Sequence, residues 1–78
     1  MAKKKTEVKI ELVDMLQRLK TLRKDKNIKE EHLAEELGID AETYADKEKG
    51  DIQFSLKEWL VMSNIMNVRL FYFLTGNS

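Results

Sequence analysis

The side chains that most often perform acid–base, nucleophilic or metal chemistry are sparse in this chain of 78 residues. The chain contains no cysteine, which excludes disulfide-stapled folds, thiolate metal sites and thiol enzymes. His32 is the single histidine, and we interpret it as a surface or interhelical polar residue. Catalysis needs a nucleophile or an acid–base pair held in a cleft. We therefore expect no enzyme activity and no cofactor.

Carboxylates are numerous in the middle of the chain, where they form the remaining candidate ligands for a metal ion. Their spacing lacks the glycine and the alternating ligands of a calcium-binding loop, so we expect no metal site. The carboxylates concerned are Asp40, Glu42, Asp46, Glu48 and Asp51.

Charge is the other chemical feature, and it is distributed unevenly along the chain. The whole chain is neutral, with 14 Lys plus Arg and 14 Asp plus Glu, which by itself argues against a nucleic-acid partner. Residues 1–26 carry nine bases and four acids (+5), and residues 27–51 carry three bases and nine acids (−6). The remaining residues carry two bases and one acid (+1). Neutrality is therefore the sum of opposed blocks, which indicates surfaces of different charge.

Periodicity and capping signals predict the elements that position these charges. Apolar residues alternate with charged ones over 6–13, which predicts a short strand. Apolar residues then recur at helical spacing, and Ser55 and Glu58 form a capping box at the start of the fourth helix. Helices are predicted over about 15–26, 30–36, 41–48, 56–66 and 69–74. Their predicted C-terminal residues in left-handed conformation are Asn27, Gly38, Gly50, Asn67 and Gly76.

These elements predict an all-α fold of one domain, because 78 residues are too few for two. The second and third helices, joined through Gly38, have the spacing of a helix-turn-helix. We expect a basic N-terminal extension over 1–13 with a short strand or arm, a helical domain over 14–76 and a tail at 77–78. No apolar run approaches the length of a membrane span, and no targeting segment is present, so we expect a cytoplasmic protein.

Residues typical of one known protein family occur in the family's order from about Asp14 to Gly76. They are Leu19, Leu22 and Arg23 in the first helix; His32-Leu33-Ala34 and Leu37-Gly38-Ile39 across the turn; Glu48 and Gly50; Ser55-Leu56; Asn67-Val68; and Leu74-Thr75-Gly76. In this order and spacing the chain resembles the Cro/C1-type (XRE-like) helix-turn-helix family of phage repressors and bacterial transcriptional regulators. The resemblance implies a five-helix repressor-like domain that docks its third helix in the major groove of double-stranded DNA as a homodimer.

The resemblance also implies an internal ion pair between Arg23 and Glu48. The alternative from the residues alone is two ordinary surface charges. Outside this pair, we interpret the bases Arg18, Lys20 and Lys24 of the first helix as the outer face of an amphipathic helix.

The positions that the resemblance assigns to DNA contact are unusually acidic. They are Glu30, Ala41, Glu42, Thr43 and Asp46. A carboxylate can accept a hydrogen bond from cytosine N4, but three carboxylates facing phosphates repel them. Lys29, Lys47 and Lys49 offset part of this repulsion. We therefore predict weak DNA binding through this face unless the basic N-terminal third supplies phosphate contacts. Lys3, Lys4 and Lys5 are candidates for such contacts, or else form a solubilising tail.

Apolar residues at outward positions raise a second possibility. Phe54, Val61, Ile65 and Phe71 form either a protein interface, most simply of a homodimer, or a surface covered by residues 6–13. The alternative function is a protein-interaction module on the same scaffold that has lost DNA binding through its acidic recognition face, and that caps a repressor or mimics DNA.

Overall fold

Five helices form the fold of residues 11–77, the part of the chain that this computed structural model describes. Within that part, no helix combines the length and the apolar character needed to cross a membrane. The helices are α1 (Leu12–Asp25), α2 (Glu30–Leu37), α3 (Ala41–Lys49), α4 (Leu56–Met66) and α5 (Leu70–Thr75). Helices α2 and α3 pack on each other, while α1 contacts α3 and α5, and α4 contacts α2 and α5.

The predicted helix ends are confirmed by the backbone. Asn27, Gly38, Gly50, Asn67 and Gly76 all have positive φ, between 58° and 95°. Each therefore turns the chain out of a helix through the left-handed region. The capping box at the start of α4 is confirmed as well, with reciprocal hydrogen bonds between its serine and its glutamate.

The turn between α2 and α3 is fixed by hydrogen bonds on both sides of Gly38. Ile39 N–H donates to the Ala34 carbonyl at 3.0 Å, which closes the end of α2. Asp40 caps α3 by accepting the Thr43 N–H at 2.7 Å. That backbone hydrogen bond lowers the pKa of the Asp40 carboxyl, because it stabilises the charged form. The entry into α3 is thus set by its own sequence.

The start of α1 differs from the prediction. α1 begins at Leu12, so Leu12 and Val13 are helical and the strand predicted over 6–13 is wrong at those positions; residues 6–10 lie outside the described residues. Glu11 is extended, and its carbonyl accepts the Met15 N–H at 3.1 Å. Leu16, Leu19 and Leu22 all pack into or against the core at spacings of three, which fits the helical period and not the period of two.

The core contains a row of aromatic rings. Phe54 lies between Tyr44 and Trp59, with centroid distances of 5.7 and 5.1 Å, and Trp59 contacts Phe73 at 5.2 Å. Phe54 is only 9% exposed, so its prediction as an interface residue is wrong. The loop before α4 turns this ring inward, where burial contributes about 1.5–3 kcal/mol.

Arg18 connects α1 to α5. Its Nη1 donates to the Phe73 carbonyl at 2.9 Å, near the C-terminal end of α5, where carbonyls lack helical partners. A Cβ at Gly76 would lie 3.0 Å from the Arg18 Nε. Arg18 therefore packs against α5, and its interpretation as part of an outer face is wrong.

Candidate nucleic-acid interface

A buried ion pair holds α1 to α3. Arg23 Nε donates to Glu48 Oε2 at 2.9 Å, and Arg23 Nη2 donates to Glu48 Oε1 at 3.1 Å. Both residues are under 10% exposed, so they are not the ordinary surface charges of the alternative interpretation. This two-bond geometry between a planar guanidinium and a carboxylate is directional, and it fixes the relative orientation of the two helices.

Further hydrogen bonds extend the pair to α2 and to the loop before it. Arg23 Nη1 donates to the Ile28 carbonyl at 3.1 Å, and Nη2 lies 3.4 Å from Glu30 Oε2. The Tyr44 hydroxyl donates to Glu48 Oε2 at 2.8 Å. Burial, reinforced by that hydrogen bond, raises the pKa of Tyr44, so the hydroxyl keeps its proton. Within the described residues, every buried side-chain polar atom has a hydrogen-bond partner.

The outward face of α3 is mixed in charge and contains one small residue. Glu42, Ala45, Asp46 and Lys49 lie at successive positions of one helical face, opposite the buried Tyr44. Glu42 and Lys49 are exposed, and Ala45 and Asp46 are half-buried. Among the other predicted contacts, Ala41 is exposed at the first turn of α3 and Thr43 is half-buried.

Two of the three predicted acidic contacts lie close to a base. Glu30 lies against Arg23 as described, and Asp46 Oδ1 is 3.6 Å from Lys49 Nζ. The second pair is solvent-exposed and therefore weak, so its side chains can move to other partners. Neighbouring bases therefore offset part of the negative charge of Glu30 and Asp46.

Lys47 is engaged inside the fold and is removed from the candidate DNA contacts. Its Nζ donates to Glu58 Oε1 at 2.9 Å and to the Gln53 carbonyl at 3.3 Å, and it lies 5.8 Å from the centre of the Phe54 ring. Partial burial favours the neutral form of Glu58, but hydrogen bonds from Lys47 and from Ser55 N–H outweigh it and lower its pKa. Lys47 therefore ties α3 to the start of α4.

Four lysines of three segments surround the Arg23 guanidinium. A cleft of about 250 Å³ between α1 and α3 includes Lys20, Lys24 and Lys49 in its lining, together with Ala45. An adjoining cleft beside Arg23 is lined by Lys24 and by Lys29, which precedes α2. We call Lys20, Lys24, Lys29 and Lys49 the basic rim.

The interpretation of Lys20 and Lys24 as only an outer face is therefore incomplete. Their spacing of four residues places them one turn apart on α1, and Arg23 lies between them in the sequence. That spacing, together with the pair implied for Arg23, is the signal that could have identified them. Lys3, Lys4 and Lys5 lie outside the described residues.

The apolar surface differs from the predicted one. Phe71 is 51% exposed on α5, whereas Val61 and Ile65 are half-buried on α4. The exposed apolar residues of α4 are Leu56 and Leu60, which are not among the predicted interface residues.

Other candidate chemistry finds little support in the described part of the chain. His32 is exposed on α2. Across residues 11–77, no group of three or more His, Asp or Glu side chains is arranged to hold a metal ion.

Comparison with known proteins points to one family. A family model described as helix-turn-helix matches residues 19–73, about seven tenths of the chain. The matched range includes the ion pair between Arg23 and Glu48, the turn at Gly38, and α3. No curated protein and no solved structure matches the chain.

Proposed function

The chain belongs to the Cro/C1-type helix-turn-helix family of DNA-binding regulatory domains, and on that premise we propose that it regulates transcription by docking α3 in the major groove of duplex DNA as a homodimer. The observation that supports this most is the position of the basic rim. Lys20, Lys24 and Lys49 line the cleft that Ala45 of α3 also lines, so a positive border adjoins the helix that would enter the groove.

The basic rim offsets the repulsion between the acidic face and the DNA phosphates. DNA binding through the acidic face requires phosphate contacts from the basic N-terminal third, and Lys20 and Lys24 belong to that third. If the four rim lysines of each protomer together neutralise two phosphates, the slope of log K against log salt is about −2 per protomer and about −4 for the dimer. Glu42 on the exposed face is then available to accept a hydrogen bond from cytosine N4.

The buried ion pair supports the proposal in a different way. A helix reads base edges only if its approach to the groove is fixed, and two short hydrogen bonds hold α3 to α1. Because α1 also carries Lys20 and Lys24, the same pair fixes the distance from the phosphate contacts to the reading helix. We therefore assign Arg23 and Glu48 a positioning role.

The proposed dimer depends on α5. Phe71 is a large apolar side chain that is half exposed, and a second copy of the chain would cover it. A two-fold dimer would present two copies of α3 to half-sites about one helical turn of DNA apart.

Fluorescence anisotropy with labelled mixed-sequence duplex DNA tests the proposal. We expect binding at micromolar protein or below at about 50 mM salt, and an affinity of the dimer for DNA that is about 100-fold lower at 200 mM salt. Unchanged anisotropy at low salt with micromolar folded protein would contradict the proposal.

One observation favours the alternative, a protein-interaction module. Leu56 is 66% exposed and Leu60 is 45% exposed, one turn apart on α4. They form an apolar strip on a helix that does not belong to the helix-turn-helix unit. Absence of DNA binding, together with loss of a protein complex on changing Leu56 to Glu, would favour this function.

A further inference from the structure

The cleft between α1 and α3 has the size and charge of a site for one small anion. At about 250 Å³ it is smaller than the roughly 300–1,000 Å³ of pockets that hold drug-sized ligands. Ala45 has no side chain beyond its Cβ, which leaves space between the rim lysines. Lys20 and Lys24 enter from α1, and Lys49 enters from α3. The cleft is therefore lined by lysines of two helices, and a single anion bound between the helices can contact both.

The charges within this cleft do not cancel. Its lining contains four cationic side chains and two carboxylates, a balance of +2. One carboxylate, Glu48, already accepts two hydrogen bonds from Arg23 and one from the Tyr44 hydroxyl. Its side chain is 3% exposed and is not available to the lysines.

Glu30 is the second carboxylate, and its contact with Arg23 is weaker. Glu30 Oε2 lies 3.4 Å from Nη2, longer than the about 2.7–2.9 Å of a charge-assisted hydrogen bond. Its side chain is 38% exposed, so it can leave the guanidinium without unfolding the domain. Because Glu30 lines the same cleft as the rim lysines, an incoming anion would lie beside its carboxylate and beside the Arg23 guanidinium.

We propose that this cleft binds one phosphate group between Lys20, Lys24 and Lys49, and that Glu30 competes with that phosphate as an internal anion. The proposal rests on the proposed function in that the phosphate is a diester of the DNA backbone. Glu30 then weakens DNA binding by a defined local mechanism, and the cleft contributes one phosphate contact per protomer.

Removal of the cleft lysines tests the phosphate contact. In the variant Lys20→Gln/Lys24→Gln, the salt slope becomes shallower by about 1 per protomer, so wild type loses about 3–4-fold more affinity per protomer than the variant between 50 and 200 mM salt. The control Lys26→Gln/Lys57→Gln removes the same charge from exposed positions that do not line the cleft, and it keeps the wild-type slope. Circular dichroism establishes that each variant is folded.

Removal of the internal anion tests the competition. Glu30→Gln strengthens DNA binding, and the gain disappears when Lys20 and Lys24 are glutamine, because the site is then lost. The control is Glu35→Gln on the exposed face of α2, where any gain arises from net charge and persists in the lysine variant. A Glu30 gain of equal size in both backgrounds would overturn the competition.

The outcomes separate this inference from the proposed function. DNA binding with a wild-type salt slope in the lysine variant overturns the inference and leaves the function standing. If no DNA binds at all, the proposed function fails, and a titration with inorganic phosphate followed by amide chemical shifts decides the inference. Saturable shifts at Ala45 and Lys49 that the lysine variant abolishes support a phosphate site, and absence of such shifts overturns it.

Discussion

Replacement of Glu48 by leucine should sharply destabilise the domain. Leucine is similar in size but accepts no hydrogen bond. The Arg23 guanidinium would lose the partner of its Nε and of one Nη2 hydrogen bond while remaining about nine-tenths buried. The Tyr44 hydroxyl, fully buried, would lose its acceptor as well.

The size of the effect follows from breaking a buried ion pair. Removal of one partner from such a pair costs about 3–5 kcal/mol, because an uncompensated charge stays buried. A domain of 78 residues has a total stability of about 4–12 kcal/mol at 0.05–0.15 kcal/mol per residue. At about 4–8 °C per kcal/mol, the expected fall in melting temperature is about 12–40 °C. Glu48→Leu therefore removes a large fraction of the stability.

Urea unfolding followed by circular dichroism measures this loss, and a compensated variant shows its cause. Replacement of Arg23 by Met and of Tyr44 by Phe, together with Glu48→Leu, removes the stranded groups and restores stability to within about 2 kcal/mol of wild type. A loss below about 1 kcal/mol in Glu48→Leu, or a triple variant no more stable than the single one, would refute the reasoning.

Three further predictions concern other parts of the fold. Since the folded pKa of Glu58 lies below its ordinary value of 4.5, its ion pair with Lys47 contributes stability above pH 4.5 that is lost as the pH falls through the folded pKa. The difference in urea stability between wild type and Glu58→Gln should therefore shrink from pH 7 to pH 3. Gly50→Ala should lower the free energy of unfolding by more than the about 1–2 kcal/mol of left-handed strain expected for Gly38→Ala. The new Cβ at position 50 would lie 3.2 Å from Leu16 Cδ1, whereas a Cβ at position 38 meets nothing within 4 Å. Equal melting temperatures of the two variants would contradict this. Phe71→Glu should give a folded monomer by sedimentation, and an unchanged sedimentation profile would remove Phe71 from the proposed dimer interface.

The helices of this fold could be predicted where local chemistry determines them. The capping box formed by Ser55 and Glu58 starts α4 through contacts within four residues. Gly38 ends α2 because glycine, which has no Cβ, adopts positive φ without a steric cost. The prediction was wrong at the start of α1, where Leu12 fits both the alternating and the helical pattern. Burial of Met15 against the core decides between them, and burial depends on tertiary contacts.

The site was predictable only in part for the same reason. The ion pair of Arg23 with Glu48 could be predicted because the resemblance relates residues that lie far apart in sequence. The pair is present. The engagement of Lys47 by Glu58 depends on how the loop before α4 turns, and no periodicity records that turn. The predicted surface position of Phe54 is wrong because its ring fills the space beside Trp59, a contact that depends on the same turn.

The central claim is that α3 and the basic rim meet DNA, and a titration of isotope-labelled protein with duplex DNA, followed by backbone amide shifts, tests it most directly. We expect the largest shifts at Glu42 and Ala45 of α3 and at Lys20 and Lys24 of α1, with the amide of Leu60 on the outer face of α4 unchanged. Shifts confined to α4, or no shifts at DNA concentrations well above that of the protein, would contradict the account.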